Sequence, residues 1–250
     1  MAESYAIILR KGGCGKTTTA VNLAAAIGLK EKHVLLVDLD PQANATLSVG
    51  IDPMSLKHSI NDLFTSIDVS PQDVVVKTGF GLDIIPSHPD LAKTEAGMQA
   101  TQIGLLKGIF GPLEENYDYI IIDTPPSESY LSIAALAYAE FVLIPLQTHF
   151  LAMQALTQAM EDVARVKKGL NPKIQIKGIL FTMVNNRTNI AKSVIAEVRE
   201  KYGKLILPMK IPFSIKQVEA TLAGIPMVLF DPNHQGSIEY KQLAEVILNG

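Results

Sequence analysis

Apolar runs of strand length recur along the chain, and most are followed by a stretch whose apolar residues fall at helical spacing. Residues 5–9, 33–38, 82–87, 117–123, 141–146, 174–181 and 205–212 read as strands. Segments 18–27, 59–64, 103–113, 151–168, 190–202 and 237–248 read as helices, with another opening at Asp90. The helix over 103–113 is expected to break near Gly111-Pro112. Several strand runs are continuously apolar, which suits strands covered on both faces. Strands alternating with helices predict an α/β fold with a mostly parallel sheet and helices on both sides. No repeat, linker or low-complexity stretch interrupts the pattern, so residues 1–250 are expected to form one domain.

Three strings carry chemistry. The first is Lys11-Gly12-Gly13-Cys14-Gly15-Lys16-Thr17-Thr18-Thr19, lying between the first strand and the first helix. Strand, glycine loop and helix form the context of a phosphate-binding loop. Glycines tolerate the backbone angles that turn successive N–H groups onto an anion, and the helix start adds its own unpaired donors. Lys16 then reaches the β- and γ-phosphates, and the Thr17 hydroxyl holds Mg²⁺. The common G-x-x-x-x-G-K-[ST] pattern is not met, because Arg10 stands where its first glycine belongs. The second string runs from Val37-Asp38-Leu39-Asp40-Pro41-Gln42 to Thr46, and delivers carboxylates to a strand's C-terminal end, the ligand edge of a parallel sheet. The third, Ile122-Asp123-Thr124-Pro125-Pro126-Ser127, brings one more carboxylate to that edge, where a hard oxygen anion can share Mg²⁺ with Thr17.

Together these strings resemble the ParA/MinD family of partition and positioning ATPases, whose deviant loop carries an additional lysine, here Lys11, before the first glycine. The resemblance continues through Ile211, Pro212, Glu219, Ala220, Gly224, Pro226, Asp231 and Pro232. It implies a P-loop NTPase fold and a slow, partner-stimulated ATPase using ATP and Mg²⁺. It gives catalytic roles to Lys11, Lys16 and Asp40, with Asp40 positioning the attacking water and joining Thr17 and Asp123 at the metal. Residues 11–18 bind the phosphates, and the adenine falls near Met183 and Pro212. Lys11 acts across a homodimer formed with ATP. In the Soj-like branch, positions matching Arg187 and Lys216 contact non-specific DNA. Phe213 stands where that branch usually carries arginine, and Arg10 where the family usually carries glutamine. The implied function is segregation or positioning of a cargo, a DNA segment or a protein assembly, with a ParB-like or adaptor protein stimulating hydrolysis. No N-K-x-D guanine signature occurs, which favours ATP over GTP.

Charge refines this picture. The net charge is −3, but residues 161–216 hold twelve Lys/Arg against four Asp/Glu, while residues 1–160 hold nine against seventeen. A basic segment in an acidic chain is a candidate anion-binding face. The single cysteine excludes an internal disulfide and weighs against a cysteine-ligated centre. No apolar run approaches the ~18–20 residues of a membrane span, and residues 1–4 lack a leader's basic region. A cytoplasmic, nucleoid-associated protein is expected, with no membrane partner. Two alternatives stay open. A MinD-like membrane-surface ATPase needs a basic amphipathic helix at the end, whereas residues 239–248 are acidic and short. An ATP-dependent metabolic ligase of the same fold would use Lys11 within its own site.

Overall fold

The computed structural model describes residues 2–185 and 187–250. Its strands are β1 (Glu3–Ile7), β2 (Val34–Asp38), β3 (Val76–Lys77), β4 (Asp83–Ile85), β5 (Tyr119–Asp123), β6 (Phe141–Gln147), β7 (Gln175–Val184) and β8 (Ile206–Pro212). They form one sheet in the order β3-β4-β2-β5-β1-β6-β7-β8. Every pairing is parallel except the short β3–β4 edge. The sheet is thus mostly parallel and covered by helices, as the alternating pattern requires.

Each strand feeds both faces because successive side chains alternate. Tyr5, Ile7, Leu36 and Ile121 pack with the Lys16–Gly28 and Gln235–Leu248 helices on one side. Ala6, Val37, Ile120 and Ile122 face the Tyr130–Tyr138 and Ala152–Gly169 helices on the other. The Gln235–Leu248 helix buries Tyr240, Leu243, Ala244 and Ile247. Most of its apolar face is therefore used up in the core, with Ile238 left exposed.

Two expectations are corrected. The helix over 103–113 spans Leu105–Phe110 and passes directly into a tighter 3₁₀ turn, Gly111–Asn116. The α-helix thus ends at Gly111-Pro112 as expected but is shorter, and Pro112 sits in the first turn of the 3₁₀ element, where its missing N–H costs nothing. β7 runs three residues beyond 181, because Thr182 pairs with Gln147 and Val184 with Pro212. That extension carries Thr182 and Met183 to the ligand edge.

Candidate functional site

The C-terminal ends of β1, β2, β5, β6, β7 and β8 share one edge, and the three strings of the sequence meet there. After β1 the chain turns through Gly13 (φ 68°) and Gly15 (φ 89°), left-handed conformations that glycine adopts without a Cβ clash. Gly15 is the N-cap of the Lys16–Gly28 helix. Thr19 N–H donates to the Gly15 carbonyl at 2.9 Å, which closes the first turn. The N–H groups of Lys16, Thr17 and Thr18 precede that bond and have no helical acceptor, so they form the anion-facing end of the helix.

The loop is braced from beneath. The Thr182 hydroxyl on β7 donates to the Cys14 carbonyl at 2.7 Å. Cys14 is fully buried, its Sγ lies 3.1 Å from the Lys11 carbonyl, and burial pushes the thiol pKa up. This is a packing cysteine, held as a thiol. Lys16 is only 6% exposed and donates to the Lys11 carbonyl at 3.3 Å. Lys11 sends its own ammonium to Gln147 Oε1, 3.1 Å away at the end of β6.

The acids are arranged in a graded way. Asp38 ends β2 and is fully buried. It accepts from Thr46 N–H at 2.9 Å, Thr46 Oγ1 at 2.8 Å and Asp40 N–H at 3.1 Å. Burial raises its pKa, and these donors pull it back. Its role is to fasten the 40–46 loop. Asp40 lies just past the strand, largely buried, and accepts from Gln42 N–H at 2.9 Å.

Asp123 ends β5 beside both neighbours, in register with Asp38 on β2 and Ile7 on β1. It too is fully buried, yet among the described residues neither of its oxygens has a hydrogen-bond partner. Burial first, then the Asp38 charge, drives its pKa well above the ordinary carboxylate value, with Thr17 and Lys16 opposing. A buried carboxylate left unpaired is costly and needs an explanation. A divalent cation shared with the Thr17 hydroxyl supplies one. No group of three or more His, Cys, Asp or Glu able to hold a metal alone occurs among the described residues. Mg²⁺ binds through one or two carboxylates together with substrate phosphates, and Asp123 beside the Thr17 hydroxyl offers such a set.

Beside the loop lies a largely apolar cavity of about 240 Å³, lined by Thr18, Met183, Pro212, Phe213, Val218 and Tyr240 among others. Met183 (φ 51°) adopts the left-handed conformation, a strain that clusters at ligand sites. The structure therefore brings Met183 and Pro212 together against the phosphate loop.

Arg187 and Lys216 are both exposed, just beyond the ends of β7 and β8, which meet at Val184 and Pro212. Lys216 pairs with Glu219 at 2.7 Å. The basic segment as a whole does not form one patch. Lys167, Lys168 and Lys173 precede β7 at the opposite edge of the sheet. The ten-residue strand separates them from Arg187 by roughly 30 Å.

Several residues of this site were not singled out by the sequence patterns: Thr46, Gln147 and Thr182, and the fastening role of Asp38. Each acts on a segment distant in the chain or through a backbone atom, and no local spacing marks it.

A family model described as an AAA domain matches residues 2–176. The sporulation initiation inhibitor protein Soj of Bacillus subtilis is 39% identical over 254 residues, covering 100% of both chains. The chromosome partitioning protein ParA of Myxococcus xanthus is 38% identical, covering 96% of this chain and 85% of that protein. Among solved structures, the cobyrinic acid a,c-diamide synthase of Mycobacterium smegmatis with bound ATP analogue and magnesium superposes with a TM-score of 0.87. It is 32% identical, covering 100% of this chain and 95% of that one.

Proposed function

The chain belongs to the ParA/Soj family of P-loop ATPases, and from that premise we propose that it is a Mg²⁺-dependent ATPase that dimerises with ATP, binds DNA without sequence preference and positions a cargo. The observation that carries the ATP-dependent part is the orphaned Asp123 carboxylate, buried at the edge that also presents Thr17 and Lys16.

The loop N–H groups of residues 13–18 and the Lys16 ammonium bind the phosphates, and the 240 Å³ cavity at Met183 and Pro212 takes the adenine. Thr17 and Asp123, with Asp40 close by, would hold Mg²⁺, which would supply positive charge to the phosphates. Asp40, anchored through the Asp38–Thr46 bonds, orients the attacking water. Lys11 leaves Gln147 and reaches the phosphates bound by a second copy, neutralising charge as an in-trans cation. ATP then holds the pair together and hydrolysis releases it.

Arg187 and Lys216 supply the DNA contacts. The exposed Lys216–Glu219 pair contributes little by itself and yields readily to a phosphate. A ParB-like or adaptor protein is the proposed trigger of hydrolysis. The MinD-like use of a terminal helix on a membrane fits poorly, because the Gln235–Leu248 helix has most of its apolar face buried in the core. Among the described residues no helix is long and apolar enough to cross a membrane. The likeness to the M. smegmatis synthase supports one second reading, an ATP-dependent ligase that uses Lys11 within its own site.

Light scattering of the chain with Mg²⁺ and a slowly hydrolysed ATP analogue tests the proposal. A doubling of mass, accompanied by DNA retention at low salt, is the expected result. A monomer that nevertheless turns over ATP favours the ligase.

A further inference from the structure

Arg10 lies directly before Lys11, at the entrance to the phosphate loop, and its guanidinium is occupied entirely by acids. Nε donates to Asp162 Oδ2 at 2.6 Å, a second nitrogen donates to Asp162 Oδ1, and the third donates to Glu128 Oε2 at 2.5 Å. Arg165 closes the group with a bond to Glu128 Oε1 at 2.9 Å. The side chains of Arg10 and Asp162 are 22% and 16% exposed. This partial burial, with two-point contact, separates the pair from solvated pairs such as Lys93–Asp90.

Arg10 and its two acid partners belong to three different segments. Asp162 sits on the Ala152–Gly169 helix, and Glu128 lies five residues past Asp123 in the loop that follows β5. A planar guanidinium bound at both edges fixes direction as well as distance, which an ammonium cannot do. On one side, whatever fixes Arg10 fixes the adjoining Lys11 carbonyl, which accepts from Lys16 Nζ and Cys14 Sγ. On the other, Glu128 ties down the loop that starts at the metal-facing Asp123.

We propose that Arg10 is a positioning residue for ATP hydrolysis, joining the phosphate loop to the Asp123 loop through Asp162 and Glu128. It acts through these segments and rests on the ATPase reading. Its loss removes none of the phosphate donors of residues 13–18 and loosens how they are held, so it acts on turnover more than on nucleotide binding.

Arg10→Gln, Arg10→Lys, Glu128→Gln and the Arg10→Gln/Glu128→Gln double variant test this, with kcat, ADP affinity and thermal midpoint measured for each. Arg10→Gln is expected to lower kcat about tenfold while ADP affinity stays within about twofold of the parent. Arg10→Lys recovers part of the rate, and the double variant is no slower than Arg10→Gln, because both remove the same link. A lower thermal midpoint with unchanged kcat, equal losses of kcat and affinity, or additive effects would overturn the proposal. Amide exchange of residues 124–129 reads the link without turnover. It should rise in Arg10→Gln and in Glu128→Gln, and unchanged exchange refutes the link even if the parent chain hydrolyses no ATP. The latter result would count against the ATPase reading alone.

Discussion

Asp38 and Asp123 lie in register at the ends of β2 and β5, both fully buried, and among the described residues Asp38 accepts three hydrogen bonds where the Asp123 oxygens accept none. Two adjacent carboxylates in a dry site repel, and the fold resolves this unevenly. Three hydrogen bonds satisfy Asp38, while the Asp123 oxygens have no such partner among the described residues. The strain is stored where the proposed metal belongs.

Asp123→Asn should therefore stabilise the nucleotide-free protein. The pKa of Asp123 is raised in the fold, so its ionised form costs free energy near neutral pH, and the amide removes that cost. Greater stability than the parent is expected in Mg²⁺-free thermal or urea unfolding, together with loss of Mg²⁺-dependent ATP turnover. A lower melting temperature would show that Asp123 already has a stabilising partner.

Thr182→Val should weaken nucleotide binding without touching the loop's sequence. It removes the 2.7 Å bond to the Cys14 carbonyl and leaves a buried acceptor unmet, at a cost of about 1–3 kcal/mol. Calorimetry with ADP is the measurement. Unchanged affinity would mean that the loop holds its shape unaided.

How much of this was legible beforehand follows from where the information lies. The phosphate loop and Asp123 are written in contiguous strings whose residue types the chemistry demands. The Tyr130–Tyr138 helix was not read, because YLSIAALAY is apolar nearly all round and shows no amphipathic period. β3 is a two-residue antiparallel edge, too short for any alternation to register. In the sequence Arg10 is a mere departure from the family pattern, since its acid partners Glu128 and Asp162 lie far along the chain. The net positive segment 161–216 was visible as composition, but only the sheet shows that β7 divides it between opposite edges.

Asp40→Ala should preserve ATP binding and the dimer while stopping turnover. Asp38, fastened by Thr46, keeps the 40–46 loop in place without the Asp40 side chain. A drop in kcat of about 100-fold or more, with nucleotide affinity retained, is the expected pattern for a group used mainly in the transition state. Hydrolysis at the parent rate would transfer the water to another residue.

Lys11→Ala should leave the monomer folded and able to bind nucleotide, yet remove the ATP-dependent dimer. Among the described residues its ammonium hydrogen-bonds only Gln147, and the side chain is not part of the core clusters. Its proposed partner is the phosphate of a second copy. Light scattering in Mg²⁺ and ATP decides the point. A persisting dimer would place the lysine's work within its own chain, as in a ligase.

The DNA contacts are tested at Lys216 and Phe213 together. Arg187 and Lys216 lie beyond adjacent strand ends, so one protomer offers a small phosphate-binding set, and an isologous dimer doubles it. Each phosphate neutralised adds roughly 0.9 to the slope of log affinity against log salt on B-DNA. Retention should accordingly require ATP, ignore sequence and fall steeply with salt. Lys216→Glu introduces repulsion twice per dimer and should abolish retention at salt concentrations where the parent still binds. Phe213 is 67% exposed on the same side, an apolar side chain beside the basic pair. Phe213→Arg should strengthen binding and steepen the salt slope by roughly two contacts' worth per dimer. Filter-binding titrations across a salt series measure both effects. Should Phe213→Arg leave the slope unchanged, the face beyond β8 does not meet the DNA backbone, and the track for the cargo lies elsewhere on the dimer.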